Sequence, residues 1–213
     1  MKVTLMKKTI LILLFATLFS GCGSPNSNVK DTDYYYLNPL KDLSKVGRVA
    51  LVQLENNSEH YSISETITSE LHKALQKKQV FGLSLIYPKS PEWTMLDIDI
   101  QPTYNLKQIA AIRSSLKADA LLTGTITEYK PFPHAVIGLR LRLIDLTDGQ
   151  LIWALEQIWD STDKTTQSRI ENYLKEKNLT TDRSMEKQLV NTSPLKFTKF
   201  VTYEVSRTIE TIE

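Results

Sequence analysis

The chain contains a single cysteine, three histidines and seven glycines among 213 residues, and these scarcities exclude several chemistries at once. With Cys22 alone, no disulfide forms within the chain, and there is no second thiolate for a cysteine-based zinc site. His60, His72 and His134 stand in no HxxxH or HExxH arrangement. The glycines build no GxSxG elbow, no Walker loop and no GxGxxG fingerprint, so acyl-transfer, phosphate-cradling and dinucleotide-binding motifs are missing. An excess of one charge is missing too: 26 basic side chains face 24 acidic ones. A nucleic-acid binder carries a basic surplus, and nothing in the chain points to a local basic patch. No metal or cofactor is expected.

What is present begins with an export signal. Lys2, Lys7 and Lys8 precede the apolar run 9–19, which small residues Ser20 and Gly21 close. About ten apolar residues are too few to span a bilayer, which needs about 20. Removing those three lysines takes the 26 basic groups to 23 against 24 acidic ones, leaving a near-neutral mature chain. The expected organisation is a signal peptide over 1–21, a polar tether over 22–33, and one domain over 34–213 with a helical C-terminal extension from about residue 161.

Leu18-Phe19-Ser20-Gly21-Cys22 resembles the lipobox of bacterial lipoproteins, with Phe19 in place of the usual leucine. The resemblance implies that Cys22 is acylated on sulfur, becomes the first residue after cleavage, and is then acylated on its amine. Several acyl chains give stable anchoring where one gives marginal binding. Gly23, rather than aspartate, follows Cys22, which resembles sorting to the outer membrane, facing the periplasm. An ordinary signal peptide with an incidental cysteine is the other reading.

The body of the chain turns on residues 118–159, three β-forming runs separated by Lys130-Pro131-Phe132-Pro133 and Thr147-Asp148-Gly149. In the middle run Ile137, Leu139, Leu141 and Leu143 alternate with Gly138, Arg140, Arg142 and Ile144, the signature of a strand with one buried face. A three-residue Thr-Asp-Gly loop with Gly149 left-handed sets Leu143 opposite Trp153, Leu141 opposite Leu155 and Arg140 opposite Glu156. A two-residue turn would mix apolar and charged faces, so the longer loop is expected.

Before this meander, the pattern predicts a central strand over Val46–Leu54 and a helix over about Ser62–Lys78, with a Ser62/Glu65 capping box. A strand over Phe81–Ile86 follows, then a helix over about Leu106–Lys117 starting at Asn105 and Gln108. Leu96–Ile100 alternates as an edge strand, its Asp97 and Asp99 forming either a carboxylate pair or a solvated face. Beyond Trp159, one helical candidate covers Thr165–Lys177, and an amphipathic helix runs from Pro194 to about Ile212, its stripe needing burial against the sheet. The expected fold is α/β (α+β): a mixed sheet of about five strands ending in an antiparallel meander, with helices packed on it.

Two segments are candidate partner-binding sites. At the hairpin tip, two prolines stiffen a turn presenting Tyr129 and Phe132; the alternative is a rigid turn with a tucked phenylalanine. Tyr34, Tyr35 and Tyr36 form either an aromatic patch or an edge strand whose rings fill gaps.

The segments 48–56, 118–126 and 141–153 resemble a group of bacterial envelope proteins that includes the TolB amino-terminal domain, CsgG and LpoB. Leu54 stands where the group's first phrase has an aromatic. The resemblance implies a non-enzymatic protein that assembles, secretes or activates envelope partners. The expected function is thus an anchored protein-binding module. A pore subunit, which would form a homo-oligomer, and an envelope enzyme without a recognisable motif are the alternatives.

Overall fold

A computed structural model describes residues 34–96, 103–177 and 183–209. Strand β2 (Arg48–Val52) sits within the sheet because both of its faces are apolar: Val49, Ala50, Leu51 and Val52 are all fully buried. Strand β1 is Tyr35–Leu37, β3 Glu55–Asn56 and β4 Gly82–Ile86. The meander consists of β5 (Ala120–Lys130), β6 (Val136–Asp145) and β7 (Leu151–Asp160). Strand β2 runs parallel to β4 on one side and β5 on the other.

Helix α1 (Ile63–Lys78) connects β2 to β4, and the return to β5 carries α2 (Pro91–Thr94) and α3 (Leu106–Leu116). Parallel crossovers are right-handed, and these two travel in opposite directions across the sheet, so their helices fall on opposite faces. Burial follows that rule. Ile67, Leu71 and Leu75 of α1 pack with Val49, Leu51 and Leu122. Trp93 of α2 and Ile109 and Ile112 of α3 pack with Ala50, Val52 and Leu121.

The strand order is β1-β7-β6-β5-β2-β4, with β3 paired to β5, giving among the described residues a mixed, open sheet of seven strands rather than about five. The extra pair, β1 and β3, are three and two residues long, too short for periodicity to register. Helices α4 (Lys164–Glu176), α5 (Arg183–Thr192) and α6 (Pro194–Arg207) follow the meander. Phe197, Phe200, Val201 and Val205 of α6 are fully buried and join α1 and the inner face of the meander in one core. The polar stretch 164–193 therefore holds two helices where one was expected. Only Val190 of α5 is buried, which is why its apolar stripe escaped notice.

Local signals came out unevenly. The Asn105–Gln108 capping box forms both of its bonds at 2.9 Å. The expected Ser62 cap does not: Ser62 has helical backbone angles and makes no side-chain cap bond, and the first turn closes through Ile63 N–H to His60 O. The hydroxyls of Ser64 and Thr68 instead turn to the end of β2. Ser64 donates to Leu54 O, and Thr68 Oγ1 accepts from Leu54 N at 3.1 Å.

The β6–β7 turn has the expected partners by an unexpected route. Leu143 faces Trp153, Leu141 faces Leu155 and Arg140 faces Glu156, with Gly149 at φ +76°. The loop is not Thr-Asp-Gly alone. Asp145 N–H bonds to Gln150 O, leaving four residues in the turn, and the register then shifts by one between Leu143 and Ile144. The cause is Leu146, which leaves the hairpin to be buried with Leu121 and Ile109 and to donate its N–H to Asp119 O at 2.8 Å. The expected edge strand at Leu96–Ile100, with Asp97 and Asp99, lies outside the described residues apart from Leu96, which sits in a turn after α2.

Candidate functional site

The β5–β6 hairpin carries Phe132 at its tip with 70% of its surface exposed. Prolines on both sides fix the backbone around it, and the Phe132–Pro133 peptide is cis. The base of the tip is pinned: Ser161 N–H donates to Ala135 O at 2.9 Å, and His134 Nε2 lies 3.6 Å from Asp160. Burial acts to raise the Asp160 pKa, but bonds from the N–H and hydroxyl of Thr162 outweigh it and hold the carboxyl below its ordinary value. Lys130 and Glu128 pair at 2.5 Å on the shoulder of the hairpin. Of the two readings of this turn, the phenylalanine is presented, not tucked.

Tyr129 behaves differently. It is half-buried, packs against the main core, and meets the His60 ring edge-on at 5.2 Å between centroids. Burial raises its hydroxyl pKa. Its neighbour across that contact is followed by Tyr61, which is 93% exposed. The β3–α1 loop thus brings His60 to the hairpin. Sequence reading missed it, since it sits about 70 residues from Tyr129 and no local pattern connects the two.

Tyr34 and Tyr35 lie at β1, the edge strand beyond β7. Tyr35 pairs with Leu155, and three strand spacings of about 4.8 Å separate β1 from β5, so the structure does not bring the two candidate segments together. Tyr34 packs edge-on to Trp159 at 6.5 Å, with the Arg169 guanidinium 4.7 Å from its centroid. Burial first, and then the nearby Glu204 carboxylate, push its hydroxyl pKa up to about 12. Glu204 is itself buried, 3.9 Å from both Arg169 and Arg207. Burial raises its pKa against the pull of those two cations. These tyrosines fill gaps in an edge strand; the exposed ring of the three is Tyr36.

On the outer face of the meander, Tyr36, Arg142, Ala154, Arg140 and Glu156 line a shallow groove of about 400 Å³. Arg140 and Glu156 pair across strands at 2.6 Å within it. Among the described residues no cluster of three or more His, Cys, Asp or Glu side chains is placed to hold a metal ion. Among the same residues no helix is long and apolar enough to cross a membrane. Cys22 lies outside the described residues.

No protein-family model matches the chain, and no curated protein is significantly similar to it. Solved structures similar to it include bacterial lipoproteins and envelope-related proteins. The LpoB C-terminal domain from Escherichia coli is 19% identical, with 53% of this chain and 82% of that one covered at a TM-score of 0.37. Lipoprotein GNA1162 from Neisseria meningitidis is 12% identical over 64% of this chain and 99% of its own, at 0.41. A PelC dodecamer from Paraburkholderia phytofirmans is 16% identical over 59% and 81%, at 0.44. At such identities and scores these likenesses say nothing of activity.

Proposed function

We propose that this chain is a lipid-anchored module of the bacterial cell envelope that acts by binding a protein partner rather than by catalysis. In this reading Cys22 carries the acyl chains, residues 22–33 form the tether, and residues 34–213 form the working domain at the outer membrane, facing the periplasm. The tether reaches at most about 40 Å from the membrane at about 3.3 Å per extended residue. The observation that carries the binding reading is Phe132, a large apolar side chain 70% exposed on a backbone stiffened by two prolines. A surface aromatic on a pre-ordered loop binds without a large ordering cost, the property that makes aromatic residues frequent interface hot spots. His60, edge-on to Tyr129, joins the β3–α1 loop to the same hairpin. The phrases shared with the TolB, CsgG and LpoB group fall on β2–β3, β5 and the β6–β7 hairpin, and support the same reading.

The test is site-specific photo-crosslinking in intact cells, with a photoreactive residue at position 132 and, as control, at Leu106, which is 72% exposed on α3. A single reproducible envelope protein captured from 132 and not from 106 supports the reading. Equal yields from both positions would sink it. In parallel, Cys22→Ser should abolish acyl labelling and release the chain from the membrane fraction; a membrane-bound, acylated variant would overturn the anchor.

A further inference from the structure

We propose that the cleft between α1, α4 and α6 is a binding site for a phosphate-bearing anion, gripped by lysines from three helices. The cleft measures about 960 Å³ and is lined by Lys73, Lys77 and Lys78 of α1, Lys177 at the end of α4, Lys199 of α6, and the ring of Tyr203. One carboxylate shares the lining, Glu70, and it is already paired with Lys73 at 2.7 Å. The lining carries five ammonium groups and one carboxylate in a chain that is close to neutral as a whole. Lys73 is paired with Glu70, Lys78 is not without a partner, and Glu176 accepts from the Tyr203 hydroxyl.

Two of these lysines have an ordinary explanation. Lys77 and Lys78 close the last turn of α1, where the helix dipole favours cations. Lys199 has none, because it lies in the middle of α6. Nearby lysines are neutralised: Lys187 pairs with Glu171 at 2.5 Å and Lys196 with Glu186 at 2.9 Å. Among the described residues, no carboxylate pairs with Lys77 or Lys199. Gathering like charges around a concavity creates a positive potential that an anion relieves.

The donor set suits such an anion. The lining contains no arginine, so its positive charge is carried by compact ammonium groups rather than planar forks. Ammonium groups, each a compact charge with three donors, suit the many acceptor oxygens of a tetrahedral phosphate approached from several sides. Tyr173 and Tyr203, with ring centroids 4.8 Å apart, give the cleft an aromatic wall. Lys177 lies 4.2 Å from the Tyr173 centroid and donates to its hydroxyl. Burial, and then the Lys196 charge, lower its pKa, a strain that a bound anion offsets. The phosphate can belong to an anionic lipid headgroup or to a soluble phosphate ester.

The test is calorimetric titration of the full-length chain in nonionic detergent micelles. Pyrophosphate is used in one arm and dihexanoyl phosphatidylglycerol in the other, with dihexanoyl phosphatidylcholine as the zwitterionic control. Saturable binding of an anion, weakened by salt and about tenfold weaker in the double variant Lys77→Gln, Lys199→Gln, supports the site. Binding of the lipid alone assigns a headgroup; binding of pyrophosphate alone assigns a soluble ester. Both side chains are exposed, so the variant should unfold at the same temperature as the parent. Lys199→Gln alone, expected to weaken binding about threefold, is the milder second variant. No saturable binding of either anion, equal binding of the phosphatidylcholine, or affinity unchanged in both variants overturns the proposal.

Discussion

The indole Nε1 of Trp153 donates to Thr208 Oγ1 at 3.1 Å, with both residues buried. This bond ties β7 to the residue that closes α6. Replacing Thr208 by valine keeps the shape and strands the indole N–H, which costs about 1–3 kcal/mol. For a domain of this size that lowers the melting temperature by about 2–4 °C per kcal/mol. Thr208→Ser should restore most of the loss. A valine variant melting with the parent would show that the bond contributes nothing.

Gly124 lies on β5 where a side chain has no room. A Cβ there would sit 2.5 Å from Leu141 Cδ2, and closer still to the carbonyl oxygen of Arg140 on β6. Because the nearest obstacle is backbone, the strands must move apart, and Gly124→Ala is expected to destabilise by about 2 kcal/mol or more. Denaturant titration measures it; a cost below about 0.5 kcal/mol contradicts the close approach.

Lys41 bridges two carboxylates at the β6–β7 turn, 2.8 Å from Asp145 and 2.6 Å from Asp148. Burial alone would raise the Asp145 pKa, but bonds from Lys41 and Thr147 prevail and hold it below its ordinary value. The same bonds to Asp145 and Asp148 raise the Lys41 pKa. A depressed carboxyl stabilises the fold above its unfolded pKa of about 3.9 and loses that contribution as pH falls through its folded value. A raised lysine contributes fully below its unfolded pKa of about 10.4 and fades only above it. Lys41→Met should therefore cost about 1 kcal/mol at a constant level from about pH 5 to 9, and less on the acid side of pH 4. Stability curves of both proteins against pH check this, and a difference that persists at pH 2 counts against it.

Phe132→Ala should leave the unfolding midpoint within about 0.5 kcal/mol of the parent while abolishing capture of the partner. Tyr129→Ala should destabilise, because that ring is packed against the core and His60. If Phe132→Ala unfolds early, the ring contributes to the fold and the binding assignment weakens.

Alternation in β6 and the parity of its partners were enough to place Leu143 opposite Trp153 and Arg140 opposite Glu156, because a slip would bury charge. Parity was blind to how the turn achieves it. Leu146 leaves the hairpin for contacts with Ile109 and Leu121, which no local rule contains. The Ser62 cap failed for a similar reason: Ser64 and Thr68 serve Leu54 on β2, and the helix start is set by that junction. Asn105 capped as expected, its partner lying three residues away in the same helix. For the candidate sites, the sequence left a presented and a tucked Phe132 both open, and only the packing decides that its ring is exposed. The lysine cleft was not legible, because Lys77, Lys177 and Lys199 meet only once three distant helices have packed.

The pairing of the first strand with the last, and of the first long helix with the final one, sets the timing of folding. Asn38 Nδ2 bonds to Leu151 O across 113 positions, and α1 packs on α6. Contacts so far apart in the chain close late and slowly. While the chain emerges from its N-terminus, the inner face of the sheet waits uncovered until Phe197, Phe200 and Val201 arrive. A chain stalled before Pro194 would leave that apolar surface open to every neighbour.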